Sequence, residues 1–312
     1  MDMIDLHAHT NKSDGSFTPT QLADYATAKG LRVLAVTDHD TVEGVEEALQ
    51  RSLYLRQLLE EKGAEAVRAE LSYPEGYPLS GRNDGYEAPE IVPGIEFSTN
   101  WEHGDIHVIG LGVNHRDAAF TARLQHFIDS REGRNREMAQ RLADVGIGIS
   151  YEGMLQMFPD CVLTRAHFAK YLLEYGYVKS SREAFDRYLG PGCPCYVPRE
   201  KVTPEEAVRM TLEAGGIPIL AHPIIYRLSD AHLRELIGRM IRAGLVGIEC
   251  YYSTHSASEE RYVKDLAKEY GLVLSGGSDF HGTNKPGLDL GTGYGSLYIH
   301  GDVWENLKKL SR

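Results

Sequence analysis

Six short apolar runs in this chain of 312 residues each carry a histidine, aspartate or glutamate at or near one end. Ile4–Leu6 leads to His7 and His9. Val33–Thr37 runs into Asp38, His39 and Asp40, and Ile91–Ile95 into Glu96. Ile106 precedes His107, Ile217–Ala221 ends at His222, and Leu272–Ser275 leads to Asp279 and His281. In a strand, residues two apart share a face, so His7 and His9 project together. Burying so many imidazoles and carboxylates side by side is costly unless something pairs with them. Divalent metal ions resolve that cost, because neutral imidazole and carboxylate are ordinary ligands for zinc, iron and manganese. The pattern therefore predicts metal binding at strand ends, where a barrel keeps its site.

Candidate strands are Ile4–His7, Val33–Thr37, Ile91–Phe97, Ile106–Val113, Ile217–Ala221, Val246–Tyr251, Leu272–Ser275 and Ser296–Ile299. Candidate helices begin near Pro19, Val42, Thr203, Asp230, Ser256 and Val303. Thr18-Pro19 is a helix start, a hydroxyl cap followed by proline at the first helical position. Strands alternating with helices indicate parallel βα units, and more than six of them indicate a barrel. Two stretches break the rhythm. Residues 64–89, rich in Gly, Pro, Tyr and charge, read as a surface insertion. Residues 116–196 carry no convincing strand and read as helices around Ala118–Val145, Tyr151–Met157, Arg165–Tyr175 and Arg182–Tyr188. The expected organisation is a barrel part over 1–115, an inserted helical cap over 116–196, and a second barrel part over 197–312.

Hydrophobic residues make up 42% and charged residues 25%, which places the chain among soluble globular proteins. No run of about 18 apolar residues predicts a membrane span. The start, MDMIDLHAHT, has neither the basic nor the apolar region of a secretory signal. Cys161, Cys193, Cys195 and Cys250 make no zinc spacing and read as reduced thiols of a cytoplasmic protein. A net charge of −12 argues against duplex DNA as a partner. It leaves room for an anionic substrate, since bound metal ions dominate a local field.

The segments DLHAHTNKSDGSFTPTQL, AVTDHDTVEGV, PGIEFS, IHVIGLG, AHP and GGSDFHG resemble, in order, the PHP (polymerase and histidinol phosphatase) family of metal-dependent phosphoesterases. The resemblance implies an α/β fold, a distorted (β/α)7 barrel, with a centre of three divalent transition metals. It assigns one ion to His7, His9, Glu96 and Asp279. A second shares Glu96 and adds His107 and His222, and a third takes Asp14, His39 and His281. Mixed nitrogen and oxygen ligation suits Zn, Fe or Mn alike. His107 lies early in its apolar run rather than after it, and nearby His103 competes for its role.

Within the insertion, REGRNR (131–136), Thr164–Phe168 and Ala184–Gly190 resemble one subgroup of that family. Its members remove the 3′-phosphate from nucleoside 3′,5′-bisphosphates, and some act as 5′-to-3′ exonucleases on short RNA. The resemblance places Arg165 against the phosphate and gives the catalytic work to Asp14, His39, Glu96, His281 and Arg165. Residues 64–89 are longer than that subgroup leads one to expect. Two other readings compete: a different small-molecule phosphatase, such as a histidinol-phosphate phosphatase, and a non-catalytic PHP binding module. The long insertion favours the first reading over the second, and the complete ligand set favours it over the third.

Other residues carry expectations of their own. Asp38 and Asp40 would orient His39, and Asp40 would also meet substrate at the leaving oxygen. Arg131 and Arg134, three apart, share a helix face, either solvated or turned to phosphate. Glu249 reads as structural, and His167 as lying off the metals. His115, His126, His232, His255 and His300 read as surface residues. Tyr251 or Tyr252 would contact a base.

Overall fold

The computed structural model describes residues 2–77, 88–159, 163–198 and 202–310. Seven strands lie side by side in chain order: β1 (Ile4–Asp5), β2 (Val33–Val36), β3 (Glu90–Trp101), β4 (Gly104–Leu111), β5 (Ile217–Leu220), β6 (Gly247–Tyr252) and β7 (Val273–Gly277). Past β1, the Leu6 amide donates to the Gly276 carbonyl and Ala8 pairs with Phe280. The last strand thus meets the first, and the sheet nearly closes into a barrel.

The short strands form because their sequence is apolar throughout. All four residues of β2, Val33–Val36, are buried, as expected where a parallel sheet is covered on both faces. Alternate positions sort into two layers. Val33, Ala35, Ile109, Leu111, Ile217 and Ile219 join one cluster with Trp304 and Leu307. Leu34, Val36, Ile95 and Ile248 join another with helix residues such as Leu22 and Leu236. Trp304 Nε1 donates to Glu90, the first residue of β3, so the helix Asp302–Lys308 covers the strand-start end.

The sheet is not wholly parallel, as the sequence alternation implies. β4 pairs antiparallel with both β3 and β5. Only Glu102 and His103 separate β3 from β4, and two residues suffice for a hairpin but not for a crossover. A continuous apolar run carries no mark of direction, so the reversal was hidden. Ser296–Ile299 is not an eighth strand. Its Ile299 carbonyl accepts from the Ile4 amide, beside a bridge between Met3 and His300.

The helices begin within a residue of their expected starts. Thr18 caps Pro19–Lys29 through a reciprocal bond with Gln21. Thr203 and Ser256 do the same with Glu206 and Glu259. Within 64–89, residues 64–77 are more than a loop. They include the helix Ala64–Glu70, whose Val67 packs on Leu55 and Leu58, and Tyr77, edge-on to Phe17 at 4.8 Å. Residues 78–87 of that stretch lie outside the described residues, as does Cys161. Cys193, Cys195 and Cys250 are free thiols.

The long helix Ala118–Asp144 contributes to two separate cores. Its Phe120 and Leu124 pack in the barrel's outer core, and its Met138, Ala139 and Leu142 in a separate core with Phe168, Leu172 and Leu189. Helices Tyr151–Met157, Arg165–Glu174 and Ser181–Ala184 follow, the last running into a π-helical turn, Phe185–Leu189. No described helix is long and apolar enough to cross a membrane.

Candidate metal centre

The strand ends bring nine side chains together, six imidazoles and three carboxylates. Glu96, at the middle of the cluster, is almost fully buried. Its Oε2 lies 3.2 Å from His7 Nε2, His9 Nε2 and His39 Nδ1. Its Oε1 lies 2.8 Å from His107 Nδ1 and 2.9 Å from His222 Nε2. Asp14 Oδ1 lies 3.2 Å from His281 Nε2, 3.8 Å from His9 Nδ1 and 3.9 Å from His39 Nε2. Asp279 Oδ1 lies 3.3 Å from His281 Nδ1, 3.4 Å from His9 Nε2 and 3.6 Å from His7 Nε2.

The reversed strand explains His107. The start of β4 lies at the same end of the barrel as the finish of its two antiparallel neighbours, β3 and β5, so a residue early in β4 reaches the site. His103 does not. It stacks on His232, with ring centroids 3.8 Å apart, and Trp101 packs against it.

Local backbone features aim these groups. Gly277 passes so close to His7 that a Cβ there would sit 2.2 Å from the His7 Cβ. Asp40, His222 and Asp279 hold left-handed backbone, with φ of 58°, 22° and 59°. Such conformations persist where surrounding contacts over-determine them. Glu249 Oε1 lies 3.0 Å from His7 Nδ1, and its Oε2 accepts from the His222 amide at 2.8 Å. It therefore fixes a ring as well as a backbone.

Asp38 acts on a loop and not on His39. It accepts from the Thr10 amide at 2.7 Å, the Thr10 hydroxyl at 2.6 Å and the Ser13 hydroxyl at 2.6 Å, holding the segment that presents Asp14. Asp40, expected to face substrate, is buried; its carboxylate accepts from the Ser98 amide at 2.8 Å and from the Arg131 guanidinium. Of the two tyrosines expected at a base, Tyr252 turns its hydroxyl to the candidate metal centre. It is buried with its hydroxyl donating to Asp279 Oδ2 at 2.7 Å, and Tyr251 lies under the Lys264 ammonium. His167 caps its own helix by accepting from the Thr164 amide at 3.0 Å. His126 and His300 are exposed, whereas His115, His232 and His255 are half-buried.

Beside the centre, a cavity of about 380 Å³ opens, lined by residues from 14–107 and 131–198. Asp14, His39 and His107 form its floor, while Arg131, Arg134 and Arg165 line the insertion side. Arg131 and Arg134 are buried rather than on a solvated face. Arg165 pairs with Asp105 at 3.2 Å and sits over the Tyr196 ring at 5.7 Å.

Charge within the centre is divided unevenly. Burial opposes ionisation of all three carboxyls, but the groups facing them hold each well below the usual range: the His107 and His39 rings for Glu96, the His281 and His39 rings for Asp14, and the Lys285 ammonium and the His7 ring for Asp279. Burial also opposes charge on His9, yet the Asp279 and Glu96 carboxylates lift it to about 9. Glu249 and Glu96 raise His7 in the same way. Burial pushes His39 down to about 3 and lowers His222 and His281.

These residues fit metal ions. Nε2 of His7 and of His9 and Oδ1 of Asp14 are sealed from solvent, and none meets a partner with hydrogen-bonding geometry. Such buried orphans are rare and call for an explanation. The ligand atoms converge in three overlapping groups: His7, His9, Glu96 and Asp279; His9, Asp14, His39 and His281; and His39, Glu96 and His107. Within each group they lie within 4.8 Å of one another.

Residues 5–190 match the PHP domain family. A 3′,5′-nucleoside bisphosphate phosphatase of Chromobacterium violaceum is 32% identical over 309 residues, covering 99% of this chain and 97% of that protein. A 5′-3′ exoribonuclease of Haemophilus influenzae is 35% identical over 277 residues, covering 89% of each. A solved Chromobacterium violaceum structure, described as an amidohydrolase with bound sulfate and no metal, superposes with a TM-score of 0.76. It is 30% identical, and the match covers 98% of this chain and 96% of that one.

Proposed function

The chain belongs to the PHP domain family and is a metal-dependent phosphoesterase, and on that footing we propose that it removes the 3′-phosphate from nucleoside 3′,5′-bisphosphates, yielding the 5′-monophosphate and phosphate. One observation carries this reading. Three arginines from 116–196, the proposed cap, line a cavity whose floor belongs to the metal-ligand cluster. A substrate with one phosphate on the centre needs a second anionic group to use those cations.

In this reading three divalent ions, drawn from Zn, Fe and Mn, sit among the nine ligands. When bound, they neutralise the charge that develops on the phosphoryl oxygens. His7, His9, Glu96 and Asp279 hold the first. Glu96, His107 and His222 hold the second, and Asp14, His39 and His281 the third. The protein's other residues set geometry. Glu249 keeps His7 Nδ1 engaged so that Nε2 faces the centre. Asp40 anchors Arg131, and Arg131 fixes the wall of the cavity. Arg165 supplies a planar fork for two phosphate oxygens and gives up an exposed partner, Asp105, to do so. The centre would carry roughly +3 within a chain of net charge −12, so anion binding is local.

The same cavity would accept the 5′ end of a short RNA, and the 35% identity to an exoribonuclease favours that second activity. The net charge argues against a duplex DNA partner, and we place the enzyme in the cytoplasm with no membrane association. A phosphate-release panel tests the substrate. It compares adenosine 3′,5′-bisphosphate, AMP, histidinol phosphate and a short 5′-phosphorylated RNA. Preference for the first, with loss of its 3′-phosphate alone, is expected. Faster turnover of AMP or histidinol phosphate would overturn the assignment.

A further inference from the structure

Asp279 turns only one oxygen toward the imidazoles. Oδ1 faces His7, His9 and His281, while Oδ2 accepts from the Tyr252 hydroxyl at 2.7 Å and the Lys285 ammonium at 2.5 Å. A carboxylate with both oxygens open is able to chelate an ion through the pair. One oxygen occupied by two donors leaves a single-oxygen ligand.

Both donors are delivered by specific backbone features. Glu249 and Tyr252 lie three apart on β6 and would face opposite sides of a regular strand. The register against β7 slips between Glu249 and Tyr251, and both side chains reach the site. Lys285 follows the 3-10 turn Gly282–Asn284. That turn is pinned at two points: the Thr283 amide donates to Ser16 Oγ at 2.8 Å, and Asn284 Nδ2 to the Asp14 carbonyl at 2.9 Å. Farther along, the Gly291 amide donates to Asp5, and Asp289 accepts from the Tyr25 hydroxyl and from Lys29. An anchored loop, and not the lysine's own flexible stem, sets where the ammonium goes.

We propose that Tyr252 and Lys285 are positioning residues that hold Asp279 as a one-oxygen metal ligand, with Oδ1 kept toward the ion seated among His7, His9 and Glu96. This rests on the metal-binding reading of the centre. Two opposing effects meet at Lys285. Removing it frees Asp279 to rotate, which weakens metal binding, and also removes a nearby positive charge, which strengthens it. Tyr252 carries the first effect alone. Because the ammonium bonds the oxygen turned away from the imidazoles, orientation outweighs repulsion.

The test titrates metal-stripped wild type, Tyr252→Phe, Lys285→Met and Lys285→Arg with Co²⁺ against a chromophoric chelator, and records the Co²⁺ visible spectrum. Tyr252→Phe and Lys285→Met are each expected to weaken one class of site by about 10–100-fold, the usual cost of losing a group that orients a ligand. Their spectra should lose intensity as two-oxygen ligation raises the coordination number, and Lys285→Arg should recover most of the affinity. Unchanged affinity and spectra in both variants would overturn the proposal, as would tighter binding by Lys285→Met. Should Lys285→Met fail to fold, Tyr252→Phe decides on the same criteria. Absence of Co²⁺ binding by wild type would overturn the reading of the centre itself, whereas equal binding by all four proteins overturns only the positioning roles.

Discussion

Raising the pH from 7 to 9 should tighten metal binding and loosen the metal-free fold, and His9 contributes to both. Without metal, His9 titrates at about 9 because Asp279 and Glu96 face it. At pH 7 only about one molecule in a hundred has it neutral, and at pH 9 about half do. A metal must find the imidazole unprotonated, so this group alone should raise apparent affinity by about 50-fold across that interval. The effect on stability has the opposite sign. A histidine whose folded pKa exceeds its unfolded value of 6.5 stabilises fully below pH 6.5 and loses that contribution as pH climbs through about 9. Between pH 7 and 9 the loss is about 2 kcal/mol for a ring with no exposed surface. Three measurements decide: competition titration at each pH, calorimetry in buffers of differing ionisation enthalpy to count protons released, and thermal unfolding of stripped protein. Affinity changing by less than about 3-fold with no protons released would refute the reasoning.

Glu96→Ala removes the one carboxylate that meets five imidazoles. It should cost more than the ~100-fold affinity loss of an orienting partner, and elemental analysis should show fewer bound ions; full stoichiometry would contradict its shared role. Arg131→Met breaks a buried ion pair with Asp40 and should destabilise the fold by about 3–5 kcal/mol in denaturant titrations, with part of that recovered when Asp40 is also made apolar. Arg165→Ala should leave metal content and melting temperature unchanged, since its pair with Asp105 is partly exposed, while kcat/KM for the bisphosphate falls about 10–100-fold. Wild-type kinetics would remove Arg165 from the phosphate site.

Eight of the nine candidate ligand positions were legible because they follow or begin an apolar run, and a barrel concentrates such ends in one place; Asp14 sits in a polar loop and was marked only by the family resemblance. Helix starts were legible because Thr18, Thr203 and Ser256 cap through short-range bonds that depend on neighbours three residues away. What the sequence hides is whatever depends on partners far along the chain. Arg131 and Asp40 are 91 residues apart, and nothing local to either marks the pair. Lys285 sits in a Gly- and Pro-containing loop with no periodicity, so its hold on Asp279 had no local signal. The β6 bulge is equally silent: tyrosine at 252 reads as a candidate base contact, whereas beside the slip in register its hydroxyl meets Asp279.

The reversed strand has a consequence for how the arginines are delivered. Because β4 finishes at the end of the barrel away from the ligands, the chain must travel back up before it can contribute to the mouth. The 27-residue helix Ala118–Asp144, about 40 Å long, makes that climb as a single rod. Its lower turns grip the barrel and its upper turns organise a second core, so the rotational phase of Arg131 and Arg134 is fixed from both ends. Deleting one residue between Leu124 and Arg131 would swing both guanidinium groups by about 100° around the axis while leaving composition almost untouched. Residue count along that rod is therefore itself a determinant of where these two side chains stand relative to the candidate metal centre.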